Sequence, residues 1–129
     1  MDDTGVIMPN KRHNFKELIV WKESMSYAKH VLVLIKSFPA TEHYGFVSQM
    51  NRSVISIASN IAEGASRKSN KSFVNFLEIA LGSCFESETQ LILAIHLGYI
   101  KEAEGELLLD KVHAIQKMLV SLISKFETQ

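Results

Sequence analysis

From Ala40 to Gln129 the chain runs for ninety residues without a proline. Proline removes a backbone donor and clashes with the preceding turn, so a stretch of this kind is open to long helices. The spacing of apolar residues makes helices the expectation. Val47, Met50, Val54, Ile57 and Ile61 recur at alternating steps of three and four. Leu108, Val112, Ile115, Leu119, Leu122 and Phe126 do the same, as do Leu18, Trp21, Met25, Ala28, Leu32 and Ile35 near the front. Phe73, Leu77, Ala80 and Cys84 start a fourth seam, which Leu91 and Ala94 continue past Ser87. A seam of this period packs a helix lengthwise against its neighbours. The pattern predicts helices near 16–37, 42–63, 71–97 and 103–126. Short connections make sequential helices antiparallel, so the fold class is all-α, an up-down-up-down four-helix bundle. One domain over 14–127 follows a flexible tail over 1–13.

The punctuation fits these bounds. Asn14 with Glu17 has the form of a capping box, and Thr41 is placed to cap the second helix. Gly64 suits a left-handed stop to that helix, Ser69 or Asn70 a cap for the third, and Gly98 its end. Glu102, Glu104 and Glu106 gather where the N-terminal dipole of the fourth helix favours acid.

The third helix carries more apolar residues than one seam needs. Val74, Phe76, Ile79, Leu81, Phe85, Ile92, Leu93 and Ile95 all lie off it, and helix two adds Ile55, Ala58 and Ala62. A helix apolar almost all round is normally buried almost all round, so self-association is expected. A broad core-facing stripe is the simpler alternative.

Several chemistries find no residues to support them. None of the eleven glutamates has a histidine three residues later, as a bundle di-iron site needs. His13, His30, His43, His96 and His113 form no i, i+4 pair, and the single cysteine, Cys84, sits on an apolar seam. Gly64-Ala65-Ser66-Arg67-Lys68-Ser69 lacks the second glycine of a phosphate loop. The reading is no enzyme, no metal and no cofactor. With 47% apolar and 22% charged residues the chain is no disordered segment. An acidic start and the lack of any apolar run of spanning length point to a cytoplasmic protein with no membrane partner.

Fourteen basic residues cancel fourteen acidic ones, so any attraction to polyanions has to be local. In an antiparallel bundle, the start of helix one, the 64–72 connection and the end of helix four meet. Lys11, Arg12, Lys16, Arg67, Lys68, Lys71 and Lys125 there face Glu17, Glu63 and Glu127, a net +4. Lys11, Arg12, Arg67, Lys68 and Lys71 are the candidate nucleic-acid contacts. The opposite end, with Lys36, Lys101 and Lys111 against Glu42, Glu102, Glu104, Glu106 and Asp110, is net −2. A ring of subunits pointing one way would join the basic ends into a collar able to contact phosphates. A solvated loop with helix-end charges is the plainer alternative. A second polar feature, Arg52, Ser56, Asn60 and Glu63, forms a stripe along helix two, and helix three offers Glu78, Gly82, Ser83 and Glu86 at compatible spacing. This stripe is read as interhelix or intersubunit glue.

Phe38-Pro39, Glu42, Tyr44-Gly45, Gln49, Arg52, the run from Ser56 to Gly64, and Arg67, Ser69 and Phe73 together resemble a known family. It is the four-helix bundle family named for proteins encoded in 23S ribosomal RNA intervening sequences. Phe15, Leu18, Val20-Trp21, Phe76-Leu77, Glu86 and Leu97-Gly98-Tyr99-Ile100 extend the likeness over roughly 15–125. The resemblance implies a homopentameric barrel. It also implies kinship with the accessory variability protein of diversity-generating retroelements, which binds nucleic acid and a reverse transcriptase through a basic surface. Where the family often has two basic residues this chain has Asn51-Arg52, and where it has proline this chain has Ala58. That leaves Arg52 as an ion-pair partner and the Arg67-Lys68-Lys71 loop as the better phosphate contact. Two functions stay open: an oligomeric adaptor binding structured RNA or DNA, with a reverse transcriptase or other nucleic-acid enzyme as a possible protein partner, and a structural or protein-interaction module with no nucleic-acid role.

Overall fold

The computed structural model describes residues 12–128. Among these it contains four α-helices and no strand: α1 (Ile19–Leu34), α2 (Ser48–Ala65), α3 (Asn70–His96) and α4 (Glu102–Glu127). Each helix packs on the next, and α1 also packs on α4. The seams of α2 and α4 are buried as the spacing predicts, apart from half-buried Leu122, and so is that of α3. Burying a Leu, Ile or Phe contributes on the order of 1.5–3 kcal/mol each, so these three stripes supply the main driving force.

The seam of α1 is rotated from its expected place. Val20, Ser24, Tyr27, Ala28 and Val31 are the buried residues, Trp21 and Leu32 are half-buried, and Met25 is 46% exposed. The polar members of the true stripe explain the difference, because a hydrophobic count passes over them. The Ser24 hydroxyl donates to the Val20 carbonyl at 2.7 Å, and the Tyr27 hydroxyl meets Ser87 Oγ at 2.6 Å in the core. A buried hydroxyl is tolerated once it is paired.

Two caps differ from expectation. Asn14 accepts from the Lys16 amide at 3.3 Å, but it caps a 3-10 turn (Phe15–Glu17), and α1 begins only after Leu18. Thr41 lies in another 3-10 turn, and a π-helical turn (His43–Val47) leads into α2 at Ser48. That wider turn brings Phe46 into contact with Phe38 and Tyr99, at ring separations of 6.2 and 6.0 Å, closing this end of the core. Ser69 caps α3 as expected, accepting from the Ser72 amide, and Gly98 ends it with φ 77°.

Gly64 is no stop signal. It is buried inside α2, where a Cβ would stand 2.7 Å from Phe76 Cβ and 3.1 Å from the Phe73 ring. Glycine is there because α3 comes too close for a side chain. Gly82, by contrast, is exposed, and an added Cβ meets nothing within 4 Å. At fixed protein concentration, Gly64→Ala is expected to lower the unfolding free energy by about 1–3 kcal/mol and Gly82→Ala to raise it by about 0.5–1 kcal/mol. Urea unfolding measures both.

Candidate nucleic-acid interface

The close approach of α2 and α3 fixes where the connection between them emerges. Ser66 to Lys68 turn back immediately after α2, with the Ser66 amide donating to Glu63 and the Arg67 amide to Gly64. The chain ahead of α1 docks on this connection. The His13 amide donates to the Ala65 carbonyl at 2.8 Å, and Arg12 Nε donates to the Ser66 carbonyl at 3.0 Å. The His13 ring is buried between Phe73 and Phe126, with centroids 4.5 and 5.3 Å away, and those two rings lie 5.2 Å apart. The packed chain therefore reaches back at least to Arg12, ahead of the Asn14 boundary predicted for the domain.

This aromatic plug gathers three segments that lie far apart in sequence. Arg12, Lys16, Arg67, Lys68, Lys71 and Lys125 are all exposed around it, with Glu17, Glu63 and Glu127 as the nearby carboxylates. Arg67 is the most engaged: it pairs with Glu63 at 3.0 Å and lies over the Phe76 ring at 4.8 Å. Both partners of that pair are about half exposed, so it adds little stability but keeps the guanidinium over the Phe76 ring. Lys68 and Lys71 make no ion pair among the described residues. Lys11 lies outside the described residues.

The stripe on α2 divides. Arg52 donates to Glu86 on α3 and, at 2.9 Å, to Gln49 on its own helix. Ser56 and Ser83 hydroxyls meet at 2.8 Å between the helices. Asn60 turns back to Ser56, donating to its carbonyl at 2.8 Å and its hydroxyl at 3.0 Å. Glu63 serves Arg67, and Glu78 stands exposed and outside the ion pairs of the described residues. Sequence reasoning missed Gln90, which accepts from the Ser53 hydroxyl at 2.7 Å. It also missed Glu88, which accepts from Gln116 at 2.7 Å and pairs with His113 at 2.9 Å; these bonds hold the Glu88 pKa below its usual value. Both residues sit where α3 turns from one neighbour to the next, a position that a single-seam count treats as surface.

Cys84 is fully buried, and burial pushes its thiol up to about 12, which keeps it protonated. No group of three or more His, Cys, Asp or Glu side chains among the described residues is placed to hold a metal ion. No helix among them is long and apolar enough to cross a membrane.

A model of the 23S rRNA-intervening sequence protein family matches residues 16–121. The chain belongs to that family. Among solved structures, it is similar to a protein of unknown function from the S23 ribosomal protein family of Bacteroides thetaiotaomicron VPI-5482. The two are 29% identical, the match covers 81% of this chain and 98% of the other, and the TM-score is 0.73. No curated protein matches. The intervening-sequence family match begins at Lys16, so the His13 plug and the Arg12 contact lie just ahead of it.

Burial lowers the His13 pKa to about 4 from the usual 6.5, and Nδ1 has no hydrogen-bond partner among the described residues. The depressed value means the native state refuses a proton that the unfolded chain accepts. The contribution of His13 is full above pH 6.5, falls as the pH drops toward 4, and levels off below it. His13→Phe keeps the ring stack and removes the proton site. Urea unfolding at pH 7 and pH 4.5 should show the variant losing markedly less stability than the parent.

Proposed function

We propose that this intervening-sequence protein is a non-enzymatic, oligomeric adaptor of the cytoplasm whose basic end grips the phosphates of structured RNA or DNA. Its four helices run up-down-up-down, a reading supported by the order of the contacts. Gly64 meets Phe73, Ser56 meets Ser83 and Arg52 meets Glu86, descending along α2 while ascending along α3. Five copies form the assembly by family likeness. The family name refers to an RNA insertion and to no reaction, which supports a binding role.

One observation carries the site: the bond from Arg12 to the Ser66 carbonyl, which sets a cation from the start of the chain beside Arg67, Lys68 and Lys71. Phosphate neutralisation by such a cluster is independent of base sequence and weakens steeply with salt. The ring nearest the loop, Phe76, is half-buried and already covered by Arg67, so duplex or folded nucleic acid is favoured over stacked single strands. A nucleic-acid enzyme such as a reverse transcriptase is the kind of protein partner to which the adaptor would present its cargo.

A second reading has its own support. Ile55, Ile79, Phe85 and Leu93 are each about half exposed, as a pure protein-interaction module would have them. Electrophoretic shifts with structured RNA and duplex DNA at low and moderate salt separate the two. The parent is expected to shift both at about 50 mM salt and to lose most binding by about 200 mM. Lys68→Glu with Lys71→Glu is expected to weaken binding at least about tenfold at low salt while leaving the oligomer intact. No shift by the parent in either condition would favour the protein-interaction module.

A further inference from the structure

We propose, on the phosphate-binding reading above, that a proton on His13 releases the segment ahead of α1 from the body of the molecule, takes Arg12 out of the basic cluster and so weakens its hold on phosphate. Only the neutral ring fits its place. It is 8% exposed and stacked between Phe73 and Phe126, and its Nδ1 is buried with no hydrogen-bond partner among the described residues. An imidazolium carries a proton on both nitrogens. The charged ring would therefore bury a donor at Nδ1 with nothing to accept it, and a charge out of reach of water.

The charges around the ring do not offset that cost. Glu17 on its own segment, Glu63 on α2 and Glu127 on α4 are all exposed, Glu63 is engaged by Arg67, and none forms an ion pair with His13. Cations outnumber them: Arg12 and Lys16 on the segment, Arg67 and Lys68 on the connection, Lys71 on α3 and Lys125 on α4.

The segment is built to part from the helices without unwinding them. The Glu17 amide donates to the Asn14 carbonyl, the Leu18 amide to the Phe15 carbonyl and the Lys16 amide to the Asn14 side chain, all within the segment. Helix α1 starts only after Leu18, whose extended backbone (ψ 124°) separates the two elements. The His13 bond to Ala65 and the exposed Arg12 bond to Ser66 tie the segment to the body, and both go when the ring leaves. Arg12 then sits on a tether instead of beside Arg67. Cations fixed before binding meet phosphates with little ordering cost, and a tethered one does not.

Amide exchange followed by NMR tests the release, and electrophoretic shifts with duplex DNA test its effect on binding. The docked ring titrates at about 4 and a free one at 6.5, so the open-to-docked ratio is expected to rise about thirtyfold from pH 7.5 to pH 5.0. Corrected for the intrinsic exchange rate, protection of the His13 amide is expected to fall by that factor. It is also expected to stay at least about a hundredfold below protection of the Ile57 and Ile115 amides, which lie in the buried seams. In His13→Phe the fall in acid is expected to disappear. Parent and variant are expected to bind DNA equally at pH 7.5, and the parent at least about threefold more weakly than the variant at pH 5.0. Far-UV circular dichroism checks that the variant folds, and the parent's exchange profile decides the release without it. Equal protection of the His13 and seam amides, or no fall in acid, would overturn the release. Release with equal affinities at pH 5.0 would overturn its effect on the cluster. A parent that binds no DNA at pH 7.5 would overturn the phosphate-binding reading and the coupling to it, while the exchange data still decide the release.

Discussion

The approach of α3 to α2 at Gly64 is the contact on which the rest of the molecule depends. With no Cβ in the way, the Phe73 and Phe76 side chains seat directly on the backbone of α2. That closeness lets two short side chains, Ser56 and Ser83, span the gap higher up, where a longer pair would hold the helices apart. It also puts the Phe73 ring where His13 and Phe126 can stack on it, so the segment ahead of α1 and the end of α4 are fastened to the α2–α3 turn. The cations of the basic end are neighbours because of this packing, and their own mutual repulsion is overcome by it.

The two ends of the core are closed differently. At one, Phe38, Phe46 and Tyr99 pack together and the Tyr99 hydroxyl donates to Glu42 at 2.6 Å. At the other, the third ring of the cluster is an imidazole, kept neutral by its surroundings. The first cluster holds no imidazole among its rings, whereas the histidine of the second loosens its packing in acid. At the end that carries the cations, protonation of a buried ring therefore works against the packing.

Much of this was legible in the residue spacing. The buried stripes of α2 and α4, the Ser69 cap and the Gly98 terminus all follow from local rules, since period and cap chemistry act within a few residues. The failures share a cause. Tyr27 lies off the expected α1 seam because its hydroxyl is paired in the core, with a partner 60 residues away. Gly64 reads as a helix stop from its neighbours in sequence, while its real constraint is a phenylalanine on another helix. His13 reads as tail because the rings that cover it come from α3 and α4. At the candidate interface the same split holds: the charges are visible in the sequence, but the Arg67–Glu63–Phe76 arrangement and the docking of Arg12 need the fold.

The single tryptophan gives the molecule a built-in optical gauge. Trp21 is half-buried and sits edge-on to Phe15, 5.1 Å between ring centres, and Lys16 lies over that phenyl ring at 5.9 Å. The indole is thus two side chains away from a cation of the basic end. Indole emission shifts with the polarity around it, so the turn that leads into α1 reports its own docking, with no dye attached and no second fluorophore of the kind to confuse the signal.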